Sequence, residues 1–372
     1  MPRIILVFAS AATAAANVAG LPVIARATRE AVIAVRYAPD SYEVVLAVSD
    51  GQLHDSWCNV EITRLAPSLH MSVTATTELA PAPGDLWFAG EALLSADSIL
   101  EAIRANGDGM THSSFALEAE EVLRFHAKEG PLGLDDLLYK SSKQIIRDTV
   151  KHSDGIVSRH FNRPISTRIT GVLLQGRTVR PVHATAVAAL TAVLMFLCLI
   201  SGTHAGLIAG AILFQVASVI DGVDGEIARA TFRTSRRGAT LDSLADAATN
   251  LAFLVGLSLS LAQQGFEDAE KLGMMGFACL STGLVLLGIH ATLSGRPINF
   301  DALKHIVKQH QSPLADWVVW LTMRDFLALA SAAMVVLGLG HTFLQLFVLG
   351  SGLWLLTVVV FGSLTFLGYV RR

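Results

Sequence analysis

Charge is scarce in this chain. Only 16% of its 372 residues are Asp, Glu, Lys or Arg, while 52% are hydrophobic and the mean hydropathy is +0.52. That excludes an ordinary soluble enzyme and fits an integral membrane protein with an appended soluble part. Cysteine is nearly missing as well. Cys58, Cys198 and Cys279 lie far apart, the last two in apolar runs, so there is no disulfide framework and no metal-ligand spacing. They read as small core residues. The formal net charge is only -3, and no nucleic-acid partner is expected. The charge is unevenly distributed between Tyr139 and Arg180. There Lys140, Lys143, Arg147, Lys151, Arg159, Arg163, Arg168, Arg177 and Arg180 face only Asp148 and Asp154.

Against that background four acids stand together in apolar sequence: Asp221, Asp224, Asp242 and Asp246, within DGVDGEIARATFRTSRRGATLDSLAD. An ionisable group in hydrocarbon costs roughly 2.5–3.5 kcal/mol even on lenient insertion scales, so four together need a reason. Asp221 and Asp224 are spaced i,i+3, and Asp242 and Asp246 i,i+4, so each pair shares one face of a helix. Two such helices side by side would bring four carboxylates into one cage. Like charges that close hold protons or share a cation, and an all-oxygen cage suits Mg²⁺, Mn²⁺ or Ca²⁺. Gly225 and Gly238 leave the backbone open to close approach. Arg229, followed by Arg233, Arg236 and Arg237, sets guanidinium groups near the acids, where a metal-bound diphosphate needs them. A structural Asp–Arg salt-bridge network is the alternative.

Read as spacing, the stretch is D-x2-D-G-x2-A-R-x8-G-x3-D-x3-D. It resembles the signature of the CDP-alcohol phosphotransferase family at every fixed position: Asp221, Asp224, Gly225, Ala228, Arg229, Gly238, Asp242 and Asp246. The resemblance implies transfer of a phosphate-linked group from a CDP-alcohol to the hydroxyl of a second alcohol, with release of CMP. It implies Mg²⁺ or Mn²⁺ held by Asp221, Asp224 and Asp242, with Asp246 completing the cage and acting as general base. Gly225, Ala228 and Gly238 would leave room for the cytidine, and Arg229 would lie near the phosphates. Arg236, Arg237 and Arg324 are candidates for holding a phosphorylated polyol acceptor; a membrane anchor is the other role open to Arg324. The donor is a CDP-alcohol such as CDP-diacylglycerol or CDP-inositol, and the acceptor an inositol phosphate or a phospholipid headgroup. A homodimer is expected. Ahead of the first span, Arg180-Pro-Val-His-Ala-Thr185 departs from the family's Thr-Pro-Asn-x-x-Thr, with Val182 where the asparagine stands.

Three parts are expected. Residues 1–130 alternate strand-like runs (IILVFA, EVVLAVSD, MSVTATT, DLWFAGEALL) with helical periodicity in LPVIARATREAVIAV, which predicts a small α/β domain with a parallel sheet. Ser95 is placed to cap a helix through Ile103. A signal peptide is the other reading of the first residues, but the membrane topology argues for a cytoplasmic N-terminus. The order of elements resembles a nucleotidyltransferase domain. Its phosphate loop, however, reads ASAATAAAN here, with no glycine to admit a phosphate and no Lys or Arg to neutralise one.

Residues 131–180 form a helical linker. In Ser158–Gln175 the apolar Phe161, Ile165, Ile169, Val172 and Leu173 recur at helical spacing opposite Arg159, Arg163 and Arg168. A basic amphipathic helix on anionic headgroups explains this, and so does a linker helix docked on protein. KHSDGIVSRHFNRPIS is similar to the segment before the membrane part in the family's di-myo-inositol-phosphate branch. Residues 181–372 read as six membrane spans, near 182–201, 205–230, 239–262, 272–293, 322–339 and 343–369, each close to the roughly 20 residues a bilayer core needs. The whole is therefore an α-helical integral membrane bundle with an N-terminal cytoplasmic α/β domain. Glu267, Asp268 and Glu270 lie on one side; the basic pre-helix, Arg229–Arg237, Arg296, Lys304, Lys308, Arg371 and Arg372 lie on the other. The positive-inside rule then puts both termini and the four acids on the cytoplasmic face of a bacterial or archaeal cell membrane. Asn250 sits one turn beyond Asp246, where interhelical packing is expected. His183 and His290 have no partner at ligand spacing.

Two rival functions remain at this point. An ion-path transporter predicts acids spread through membrane depth, whereas these cluster at one end of two helices. A catalytically silent membrane scaffold would keep its working site in the soluble domain, which is the part whose phosphate loop is degraded.

Overall fold

The computed structural model describes residues 1–50, 53–69, 73–107, 119–151, 154–293 and 323–370. The chain divides into two compact units. The first takes in Met1–Thr149, Gly171–Val179 and the turn Ala230–Phe232.

The first unit is built on a four-stranded parallel sheet in the order β5-β4-β1-β6, from β1 (Arg3–Phe8), β4 (Glu43–Val48), β5 (Val73–Ala75) and β6 (Leu86–Ala89). Between β1 and β4 come the short α1 (Ala11–Ala14), the paired two-residue strands β2 (Asn17–Val18) and β3 (Leu21–Pro22), and α2 (Val23–Tyr37). β1 pairs Ile4 with Val44 on one side and with Leu86 on the other. Ile4 to Phe8 are all buried, as a strand covered on both faces requires. Ile4, Leu6 and Phe8 pack with α2 residues such as Ile24 and Ala31; Ile5 and Val7 pack with Trp87, Val122 and Phe125. α3 (Ser56–Leu65) and α4 (Ala96–Gly107) lie beside α2, and the Ser95 hydroxyl accepts from the Ser98 amide at 3.2 Å, as the cap requires. α5 (Ala119–Asp148) is interrupted at Gly130, whose φ of +61° precedes Pro131. Cys58 is fully buried and burial pushes its thiol up to about 12, which makes it a core residue and an unreactive one.

The turn after β1, where a nucleotide phosphate would be sought, is occupied from within. Glu91, fully buried, accepts from the Ala9 amide at 2.8 Å, the Thr13 hydroxyl at 2.7 Å and His126 Nε2 at 3.0 Å. Asp50 accepts from the Ala11 amide at 2.8 Å. Arg26 and Arg29, the nearest cations in sequence, are committed elsewhere in this unit. Arg26 is buried and donates to the carbonyls of Val18, Ala19 and Ala230; Arg29 pairs with Glu30 and lies over the Phe232 ring at 3.8 Å.

The second unit holds the apolar helices. Among the described residues five are long and apolar enough to cross a membrane: α7 (Pro181–Ile200), α8 (His204–Ala230), α9 (Arg236–Gln263), α10 (Ala269–Leu293) and, over its first 21 residues, α12 (Gly340–Val370). α11 (Arg324–Val336) lies in the fifth expected span and has 13 residues. Arg296, Lys304, Lys308, Arg371 and Arg372 fall outside the described residues. Met195, Leu199, Phe214, Phe253, Leu257 and Phe347 share one core, with Phe214 and Phe253 stacked at 4.0 Å. Close approach rests on small residues: a Cβ at Gly256 would come within 2.8 Å of Leu199, and one at Gly283 within 2.1 Å of the Trp354 ring. Large apolar side chains such as Leu190, Leu197, Leu346 and Leu353 point outward, as in a bundle whose solvent is lipid.

The pre-membrane segment is helical from a π-turn at Ser158–Asn162 into α6 (Arg163–Leu173). Its buried stripe is polar: Ser158, Asn162, Ser166 and Thr170, one every fourth residue. Its exposed stripe is apolar, with Phe161, Ile165 and Ile169. The helix docks by its polar stripe and leaves its apolar stripe exposed. Asn162 donates to Asp325 at 3.0 Å and accepts from Gln215 at 2.7 Å, and Ser218 donates to the same Asp325 oxygen at 2.7 Å.

Candidate active site

The acids sit near the C-terminal end of α8 and in the first turns of α9. Ser235 starts α9 by accepting from the Gly238 amide at 2.9 Å, so Asp242 and Asp246 follow in its second and third turns. One carboxylate oxygen from each of Asp221, Asp242 and Asp246 lies within 4.8 Å of the others, and all three residues are half-buried. The fourth acid takes a different partner: Asp224, buried, accepts from the Thr185 hydroxyl at 2.7 Å. Thr185 belongs to the first turns of α7, so the start of the first span holds Asp224 directly.

Arg324 opens α11 and reaches the same place. Its Nη1 donates to Asp246 Oδ1 and lies 3.3 Å from Asp221 Oδ1, and its side chain is only 12% exposed. A guanidinium between two carboxylates offsets their repulsion. Among the described residues its Nε has no hydrogen-bond partner. Arg236 and Arg237 are exposed in the first turn of α9, and no described ion pair joins them to the acids. Gly225 serves Arg229: a Cβ there would come within 3.0 Å of the Arg229 Nη1, so the bare backbone lets that guanidinium lie along α8. Ala228 is half-buried one position before Arg229, Gly238 is exposed and Val182 is 62% exposed. Asn250 Oδ1 is buried with no partner among the described residues, and His183 Nδ1 accepts from the Arg180 amide at 3.3 Å.

Three convergent carboxylates form an all-oxygen donor set, which fits a hard divalent cation better than a soft one. Asp221, Asp242 and Asp246 would hold it, with Asp224 adjacent on α8. Sequence reasoning missed Glu226, the fully buried acid that follows Gly225. It accepts from Ser166, Thr170 and Arg163. The period-four polar stripe on the pre-membrane helix was the signal for it.

Comparison with known proteins agrees with this geometry. The profile of the CDP-alcohol phosphatidyltransferase family matches residues 180–344. Three curated relatives are each named bifunctional IPC transferase and DIPP synthase. The one from Thermococcus kodakarensis is 40% identical over 121 residues, 32% of this chain and 26% of the relative. The one from Aquifex aeolicus is 39% identical over 123 residues, 33% and 27% respectively. The one from Archaeoglobus fulgidus is 35% identical over 122 residues, 32% and 24%. The chain thus spans about a quarter of the length of the curated relatives it matches. The match to the CDP-alcohol phosphatidyltransferase family spans residues 180–344, the part of the chain that carries all four acids, Thr185 and Arg324.

Proposed function

We propose that this chain is an integral membrane transferase that moves a substituted phosphate group from a CDP-alcohol to the hydroxyl of an acceptor alcohol, releasing CMP. The observation that carries the proposal is the convergence of Asp221, Asp242 and Asp246 within 4.8 Å on two membrane helices. A Mg²⁺ or Mn²⁺ ion bound there supplies positive charge to a diphosphate whose leaving half gains negative charge. Asp246 takes the proton of the incoming hydroxyl. The hydroxyl oxygen bonds to the phosphorus that bears the donor alcohol. The bond from that phosphorus to the bridging oxygen breaks, and its electron pair leaves on CMP. Asp224, held by Thr185, completes the acidic wall, and Arg229 along Gly225 lies where donor phosphates would pass.

The acceptor is an inositol phosphate or a phospholipid headgroup, supported by the names of the relatives and by Arg324 at the acids. Arg236 and Arg237 flank the entrance to α9 and contribute to acceptor binding in the same reading. The donor is CDP-diacylglycerol or CDP-inositol. Six crossings, a cytoplasmic site, cytoplasmic termini and a homodimer belong to the same proposal. The crossings rest on the apolar runs, the cytoplasmic placement on the distribution of Arg and Lys, and the homodimer on the family resemblance. The exposed apolar stripe of α6 lies on the membrane interface. The test is incubation of purified protein with Mg²⁺, each CDP-alcohol and a panel of alcohols, scored by CMP and by the phosphodiester formed. No product with any pair would refute the reading.

Residues 1–130 serve as an accessory module without cytidylyltransferase activity. Glu91 and Asp50 already take the amides and the hydroxyl that would cradle a phosphate, and a second anion beside them is disfavoured. Pyrophosphate release from CTP and a sugar or inositol phosphate would overturn this.

A further inference from the structure

Behind the acids, on the opposite side of α8, lies a charged core that the proposed transfer does not use. Glu226 is fully buried. Its Oε1 accepts from the Ser166 hydroxyl at 2.6 Å and from Arg163 Nη1 at 2.9 Å, and its Oε2 accepts from the Thr170 hydroxyl at 2.6 Å. A buried carboxylate persists only when it is paired and hydrogen-bonded, and here it is both. Arg163 divides its guanidinium: Nε donates to Asp154 Oδ2 at 2.7 Å, and Nη1 reaches the Gly222 carbonyl at 3.3 Å as well as Glu226. Burial works against that charge, but Asp154 and Glu226 outweigh it and hold the pKa above the ordinary arginine value.

Gly222 lies between Asp221 and Asp224. A Cβ there would come within 2.8 Å of Arg163 Nη1 and 3.4 Å of Ser166 Oγ, so the glycine is what admits the arginine. Gly222 and Glu226 are i and i+4 and share one face of α8, while Asp221 and Asp224 share another. One guanidinium therefore grips the back of the turn whose front presents two of the acids. A carboxylate stands about 5–6 Å from a helix axis, so a rotation of about 10° displaces it by about 1 Å. A displacement of that size is enough to degrade a ligand set.

We propose that Arg163 is a positioning residue: by holding Glu226 and the Gly222 carbonyl it sets the rotation of α8, and through it the affinity of the acid cluster for a divalent cation. This rests on reading the acids as a cation site, so the experiment measures binding directly. Mn²⁺ is titrated by electron paramagnetic resonance into the purified full-length protein in detergent, with Asp242→Asn as the control for the site. Arg163→Gln and, separately, Gly222→Ala are expected to weaken Mn²⁺ binding by about tenfold or more, the usual cost of losing a group that orients metal ligands. Gly222→Ala removes no charge and decides the matter alone if Arg163→Gln does not fold. In the double variant the alanine meets no arginine, so binding is expected to be no weaker than in Arg163→Gln. Unchanged Mn²⁺ affinity in folded variants, even with a lowered thermal midpoint, overturns the proposal, as do additive losses in the double variant. Absence of Mn²⁺ binding in the wild type overturns the cation reading and this proposal with it.

Discussion

Valine in place of Thr185 keeps the β-branched shape on α7 and removes the O–H that donates to Asp224. That hydroxyl has a single proton to give and two oxygens in reach, Asp224 Oδ2 at 2.7 Å and the Pro181 carbonyl at 3.2 Å. The nearer, charged acceptor is the stronger partner. A hydrogen bond to a charged group contributes about 1.5–3 kcal/mol. Asp224 is only 8% exposed, so water does not readily replace the lost donor. At about 1.4 kcal/mol per factor of ten, Thr185→Val lowers kcat/KM for CMP release by about tenfold to about a hundredfold. Thr185→Ser restores most of it. The assay is CMP release at several Mg²⁺ concentrations, alongside a thermal midpoint to establish folding. Activity within twofold of wild type in folded Thr185→Val would refute the role given to this contact.

Further outcomes follow from the same geometry. Asp221→Asn, Asp224→Asn and Asp242→Asn each abolish CMP release, because each removes charge from a cluster that must compensate a cation and a diphosphate; a near-normal rate in any one would remove that residue from the site. Asp246→Asn retains CDP-alcohol binding and loses transfer, measured by equilibrium binding beside turnover. In the first unit, burial alone would raise the Glu91 carboxyl, but hydrogen bonds from His126, Thr13 and the Ala9 amide hold it below its usual range. Its contribution to stability is therefore full above the ordinary glutamate pKa, about 4.3, and is lost as pH falls through the lower folded value. Glu91→Gln flattens that acid limb in a fluorescence-monitored unfolding series; an unchanged limb would contradict the assignment.

What the sequence made legible was whatever repeats at a short interval. The i,i+4 pair Asp242 and Asp246, the Ser95 cap and the buried run Ile4–Phe8 are local patterns that recur in the structure, whereas Asp224 of the i,i+3 pair turns to Thr185. Partners distant in sequence were not legible. Arg324 meets Asp246 from 78 residues away, and Glu226 meets Ser166 from 60. No periodicity links such pairs; only the packing of α6, α8 and α11 does. The pre-membrane helix is the instructive case. Its apolar stripe was read first, yet the stripe that docks is the polar one, because α8 presents Glu226 rather than a hydrophobic surface. In a protein whose outer face meets lipid, hydrophobicity alone does not say which side of a helix is inside.

The most direct test of the central claim is CMP release from a CDP-alcohol by the purified, membrane-reconstituted chain, with an acceptor alcohol and Mg²⁺ or Mn²⁺, before and after chelation. The account predicts CMP formed in step with a new phosphodiester, abolished by chelator and restored by the metal. Full transfer in excess chelator would contradict it.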